Sequence, residues 1–298
     1  MQRLTIYFLS LALTIGGYVA RAAGDTRAEQ LMAQARAALG GDKNLNKVKG
    51  LSATGTYQRT IPDRQLSGEV TIELQLPGKI LRTESMSPMG DVTVITEQGL
   101  SGETLLRHSR TLNAPPGAVI RMGGPAPTGD AEVQAIRNAR ADLARLVVAF
   151  LAASPAALPL EFSYGGEAES DDGKADVIEA KGADSFALRI FLDQKSHQPL
   201  MLVYRGVAPR VTIATQTAGP GDAGRGRGDM AHDAPAAPAP QVVDITLYLD
   251  DYKSVDGVLL PHRMARSVDG KPSEETTFKT IKVNPPFKPD TFTAKSDR

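Results

Sequence analysis

The side chains able to do chemistry are scattered along this sequence, and their spacing decides which chemistries stay open. The four histidines, His108, His197, His232 and His262, stand far apart, and none forms an HxH or HExxH pattern. Zinc sites usually show at least one closely spaced ligand pair, so each histidine reads as a surface or locally hydrogen-bonded side chain. There is no cysteine, which removes thiolate nucleophiles, thiolate metal sites and disulfides. No serine lies in a GxSxG elbow between a strand and a helix. The carboxylate pairs Asp171-Asp172, Asp250-Asp251 and Glu274-Glu275 are chain neighbours, which on a strand point to opposite faces. They read as solvated turn residues rather than a glycosidase dyad. Gly219 to Gly224 spells GxGxxG, but that fingerprint needs a helix to begin there and aim its N-terminus at a pyrophosphate. A Gly/Arg run and then a proline run follow instead. No catalytic, cofactor or metal constellation emerges, and the expectation is a chain that binds rather than transforms.

The elements that must position any binding surface are mostly strands. Asp25 to Leu39 is rich in Ala, Gln, Arg and Glu, good helix formers, and closes on Gly40-Gly41 as a glycine stop should. The period then changes from helical to two. Glu69 to Leu76 sets Val70, Ile72, Leu74 and Leu76 against Glu69, Thr71, Glu73 and Gln75, the alternation of a half-buried strand. Further strands are expected at 51–60, 80–86, 92–97, 158–164, 175–181, 187–193, 200–204, 211–215, 242–252, 259–268 and 274–283. In the 242–252 segment Val243, Ile245, Leu247 and Leu249 alternate with polar residues. Short spacings with Pro-Gly and Met-Gly-Asp turns argue for antiparallel hairpins. The Pro/Gly-rich stretches 113–129 and 217–240 are expected as loops.

One long helix interrupts the strands, Asp130 to Ala153, with Asp130 as its expected N-cap. Val133, Ile136, Leu143, Leu146, Val147, Phe150 and Leu151 recur at three- and four-residue steps, while Arg137, Arg140, Asp142 and Arg145 lie away from most of them. Two readings fit. The helix packs on the sheet as core, or it is a lid over a concave apolar face, with 113–129 as its hinge. The fold class expected is mainly β with added helices: one curled antiparallel sheet or half-barrel of about 10–12 strands. It should form a single domain over 23–298, since such β domains run to ~200–250 residues.

The start of the sequence is expected to be a cleaved signal peptide over residues 1–22. Arg3 supplies a positive charge, Leu4 to Val19 carries none, and Ala20-Arg21-Ala22 offers a small-x-small exit. The 16 charge-free residues fall short of the ~20 apolar residues a bilayer span needs. A periplasmic or secreted location follows. Without residues 1–22 the chain holds 32 basic and 34 acidic residues, a net charge of −2. That balance argues against nucleic acid as partner.

Segments at both ends resemble a known family. Asp251-Tyr252-Lys253-Ser254-Val255-Asp256-Gly257-Val258-Leu259-Leu260-Pro261 resembles the D-Y-[KR]-x-V-x-G-[VI]-x-[LF]-P segment of outer-membrane lipoprotein-sorting (LolA/LolB-like) proteins. Val283-Asn284-Pro285-Pro286-Phe287, with Asp290-Thr291-Phe292, is similar to that family's closing element. Ala37-Ala38-Leu39-Gly40-Gly41 through Leu51 to Thr56 is similar to its helix-then-strand opening. The resemblance covers roughly 60 residues and implies a periplasmic half-barrel whose concave apolar face receives acyl chains, a carrier or sensor and not an enzyme. The absence of cysteine excludes the receptor-type, lipid-anchored member. The residues expected to line the apolar cavity and its lid are Val70, Ile72, Leu74, Val133, Ile136, Leu143, Val147, Val243, Ile245 and Leu247. The partner expected is a lipid or acyl chain, and the alternative is a cell-envelope interaction module that takes a protein partner and no small ligand.

Overall fold

A computed structural model of the chain describes residues 21–295, apart from 62–63, 90, 115–117, 123–126, 172, 208–212 and 218–240. The expected signal peptide and the expected 217–240 loop therefore lie outside the described residues, except for Arg21, Ala22 and Thr217. The chain opens on helix α1 (Arg21–Ala38) and a single turn, α2 (Asp42–Leu45). Five hairpin-linked strands follow: β1 (Gly50–Ile61), β2 (Arg64–Gln75), β3 (Lys79–Met89), β4 (Val92–Ser101) and β5 (Thr104–Leu112). After a short strand β6 (Ala118–Met122) comes the long helix α3 (Asp130–Leu151). Then come β7 (Leu160–Ser170), β8 (Gly173–Gly182), β9 (Ala187–Asp193), β10 (Pro199–Val207) and a short β11 (Ile213–Thr217). β12 (Val242–Val255), β13 (Val258–Val268) and β14 (Lys271–Val283) complete the run.

Twelve strands form one antiparallel sheet in the order β5-β4-β3-β2-β1-β14-β13-β12-β10-β9-β8-β7. Two meanders grow in opposite directions from the β1–β14 pair, where Leu51 faces Val283 and Arg59 faces Glu274. β5 and β7 remain edges, so the sheet is not closed. Curling follows from what α3 touches. It packs on β3, β4 and β5 and also on β10. β3 and β10 stand six strand spacings apart, ~29 Å if the sheet were flat at ~4.8 Å per strand. Leu105 of β5 and Tyr204 of β10 nonetheless line one space of about 330 Å³ together with Ala139 and Leu146 of α3. The sheet must wrap around it.

One expected loop is corrected. The stretch 113–129 holds a strand, β6, which pairs with β11 as a separate two-stranded sheet (Ala118 with Thr217, Met122 with Ile213). β5 was not anticipated. Leu106 on its outer face is buried with Leu81 and Phe292, while Leu105 and Arg107 line the inner side. Apolar and polar residues thus mix on both faces, and the period-two signal is blurred. The α3 cap also differs. Gly129 at φ 59° is the N-cap and contributes no side-chain bond, and Asp130 and Glu132 fall in the first turn, where their charge favours the helix dipole. No described helix is long and apolar enough to cross a membrane.

The three segments that carry the family resemblance meet at one end of the sheet. Asp256 (φ 52°) and Gly257 (φ 80°) make the two-residue turn that joins Val255 to Val258, with both central residues left-handed as a type I′ turn requires. That turn docks on the end of α1. Leu259 N–H donates to Leu39 C=O at 2.9 Å, and Asn44 Nδ2 donates to Gly40 and Gly257 carbonyls at 3.0 and 3.2 Å. A Cβ on Gly40 would sit 2.2 Å from the Gly257 oxygen, so only glycine fits that approach. Asn284 clasps the other side, with Oδ1 accepting from Lys49 N–H at 2.6 Å and Nδ2 donating to Lys47 C=O at 3.0 Å.

Candidate ligand-binding site

The inner face of the sheet changes character along each strand. Near its closed end the inward residues of β1 and β2 are Leu51, Ala53, Ile72 and Leu74, all buried. They share a core with Ala28, Leu31 and Ala35 of α1, with Leu39 just past its end, and with Leu143, Val147, Val148, Phe150 and Leu151 of α3. The Phe150 and Phe278 rings lie 6.4 Å apart and tilted. A seam between Leu51, Leu74, Val147 and Leu151 leaves no room for water. Here α3 is core.

Further along each strand the same alternation turns charges inward. Tyr57 and Arg59 follow Ala53 on β1, and Arg82 and Glu84 follow Ile80 on β3. Arg266 follows Met264 on β13, and Glu274 stands on β14. Arg59 and Arg82 each bridge to both carboxylates: Arg59 to Glu84 at 2.7 Å and Glu274 at 2.6 Å, Arg82 to Glu84 at 2.6 Å and Glu274 at 2.8 Å. The Glu274 side chain is 7% exposed. Burial alone would push its pKa up, but Arg82, Arg266 and Arg59 outweigh burial and hold it down at about 2. Glu84 is lowered in the same way, against its burial, by Arg82 and Arg59. Burial, with Glu84 next in weight, pushes the Tyr57 phenol up to about 12. Carboxylates held ionised this firmly store charge well and exchange protons poorly near neutral pH. Glu274 is therefore not the solvated turn residue that its sequence pairing suggests. Its neighbour Glu275 points the other way, to Arg263 at 2.9 Å.

Charges with fixed partners do not pack like leucines, and at this end α3 stands over open space. A cavity of about 710 Å³ is lined by Arg59, Arg82, Glu84, Asp142, Arg145, Tyr204, Arg266 and Glu274 among others. A second, of about 330 Å³, has an apolar wall of Ile72, Ile80, Leu105, Ala139, Leu146, Leu247 and Met264. The two share Arg82, Asp142, Arg145, Tyr204 and Arg266, so they form one two-part cleft. A third space of about 620 Å³ lies beside Arg137, Arg140, Asp184 and Phe186, and shares Arg145 and Tyr204 with the first. Arg145, which the helical pattern places off the apolar stripe, turns inward. Its side chain is 14% exposed, it bonds Asp142 at 2.7 Å, and its guanidinium stacks 3.9 Å from the Tyr204 ring centroid.

The residues expected to form cavity and lid divide sharply. Ile72 and Leu247 line the apolar part of the cleft, and Ile245 lines the charged part. Leu74 and Val147 line the dry seam. Val70 and Leu143 are buried in the core. Ile136 and Val243 pack half-buried against that core. Val133 is 48% exposed. The α3 roof is made instead by Asn138, Ala139, Asp142, Arg145 and Leu146. The arginines and glutamates of the cleft were missed, although the alternation that buries Ile80 and Met86 also dictates that Arg82 and Glu84 face inward. His262 is buried, with Nδ1 donating to Leu260 C=O at 3.1 Å. Among the described residues no three His, Asp or Glu side chains converge as metal ligands.

No protein-family model matches the sequence, and no curated protein gives a significant match. Solved structures do resemble it. One is a LolA superfamily protein from Nitrosomonas europaea, 9% identical, with 89% of this chain and 97% of that chain covered at a TM-score of 0.44. Another, from Vibrio parahaemolyticus, is a domain assigned to the outer membrane lipoprotein-sorting proteins, 11% identical, with 91% and 96% covered at a TM-score of 0.43. Likeness of this degree transfers no function, and the reading below rests on the cleft itself. The family that the two ends of the sequence resemble is also the family named in these structures.

Proposed function

We propose that this chain is a periplasmic carrier or sensor that holds a hydrophobic ligand, a lipid or an acyl chain, in the cleft beneath α3, with no catalytic step. The observation that carries the reading is the apolar wall of Ile72, Ile80, Leu105, Ala139, Leu146, Leu247 and Met264 around about 330 Å³ of open space. Pockets for small molecules span ~300–1,000 Å³ and are mostly apolar, with a few placed polar groups. Each buried CH₂ of an acyl chain contributes ~0.8 kcal/mol, so a short run of methylenes gives useful affinity without any reactive group. The expected signal peptide supplies the compartment. Native mass spectrometry of the chain purified from a periplasmic extract, followed by solvent extraction, tests the proposal. A bound mass that extraction releases as lipid supports it. A bare protein mass that also fails to take up added fatty acid overturns it.

A further inference from the structure

The apolar and charged parts of the cleft meet at Arg145 and Arg266, which line both. Five arginines line the charged part, Arg59, Arg82, Arg145, Arg205 and Arg266, with three carboxylates, Glu84, Asp142 and Glu274, and of these Arg205 is exposed beside Asp244 at 3.8 Å. Arg59 and Arg82 each bond both glutamates. Arg145 spends Nη1 on Asp142 at 2.7 Å, and its Nε is buried without a partner. Arg266 forms no ion pair among the described residues, and its Nε is likewise buried and unpartnered. A buried donor left unpaired is costly, and more so when charged. A cation-rich fork with acceptors missing is the chemistry that oxyanions bind. Tyr204 sits against both arginines. Burial raises its pKa, while Arg266 and Arg145 oppose that rise, and the stacked ring fixes the plane of the Arg145 guanidinium.

Resting on the acyl-chain reading above, we propose that Arg145 and Arg266 bind an oxyanion, the phosphate or carboxylate head of an amphiphile whose tail lies along Ile72, Leu105 and Leu247. The protein thereby selects anionic over neutral amphiphiles. The head completes the unpaired guanidiniums, and the chain lies along the apolar wall that the same two arginines border.

Calorimetric titration with dodecyl phosphate, dodecyl maltoside and inorganic phosphate tests this. The wild-type chain is expected to bind dodecyl phosphate about tenfold or more tightly than the neutral maltoside, the scale of one charge-assisted hydrogen bond. Arg266→Gln should erase that preference and leave the maltoside affinity unchanged, while Arg266→Lys should restore part of it. Should Arg266→Gln fail to fold, Arg145→Gln and the loss of wild-type dodecyl phosphate affinity with added salt give the same readout. Equal wild-type affinity for the two amphiphiles overturns the anion site and leaves the acyl-chain reading standing. Inorganic phosphate binding as tightly as dodecyl phosphate, with the same Arg266 dependence, supports the anion site and overturns the acyl-chain reading instead.

Discussion

Along β1 the inward residues run from Leu51 and Ala53 to Tyr57 and Arg59, and the space above them changes with the chemistry. Over Leu51 the α3 residues Val147, Phe150 and Leu151 leave a dry seam. Over Arg59 the same helix stands away and roofs about 710 Å³. One helix and one sheet thus yield a core at one end and a cleft at the other. Apolar side chains gain by closing every gap, because a void forfeits dispersion contacts. Paired charges gain from partners at fixed distances and from some remaining solvation, so they keep neighbouring elements apart. The wall between, from Ile72 and Ile80 to Leu247 and Met264, belongs to neither regime, being apolar yet facing open space.

The strongest way to break this comparison is to move a charge to the wrong end. Leu143 is fully buried, so Leu143→Asp should abolish the folded state outright, and Leu143→Ala should cost about 2–5 kcal/mol in chemical denaturation. A lid that merely covers a ligand would tolerate both. At the charged end the expected damage comes from breaking pairs. Arg82→Met strips Glu84 and Glu274 of a shared partner and should cost about 3–5 kcal/mol, as removal of one member of a buried ion pair does. Replacing Arg59, Arg82, Glu84 and Glu274 together by apolar residues of similar volume should restore most of that stability while closing the cleft. The gentlest probe is pH. Glu274 has its folded pKa depressed from 4.5 to about 2, so its contribution is present above the unfolded value and lost as pH falls through the folded one. The melting temperature should therefore decline from about pH 4.5 toward pH 2, and Glu274→Gln should flatten that decline. An unchanged slope in the variant would show that the ring is solvated after all.

The same contrast explains what the sequence revealed. Alternation in Glu69 to Leu76 and in Val243 to Leu249 marked strands that are present. Those signals are local and apolar. The cleft is written in the same alternation, but with Arg82, Glu84, Arg266 and Glu274 at inward positions, where charged residues normally signal the outer face. Arg82, Glu84 and Glu274 are buried with partners from three different strands, β1, β3 and β14, a long-range pairing that no local period shows. The helix misled in a complementary way. Its apolar stripe is continuous from Ile136 to Leu151, yet only the half from Leu143 onward is tightly packed, because the first half also stands over the charged residues of β1, β3 and β14.

The central claim is that the apolar wall under the first half of α3 receives an acyl chain. Ala139 lines that wall and packs half-buried at the margin of the core, so Ala139→Phe puts a ring into the space the chain would occupy. Titration of a fluorescent fatty-acid probe against both proteins, with melting temperatures recorded alongside, is the direct measurement. Saturable binding at one site is expected in the wild type, and at least about tenfold weaker binding in an Ala139→Phe variant that still melts cooperatively, as when a ring displaces several methylenes at ~0.8 kcal/mol each. Equal affinity in the two proteins, or no saturable binding in either, would contradict the claim.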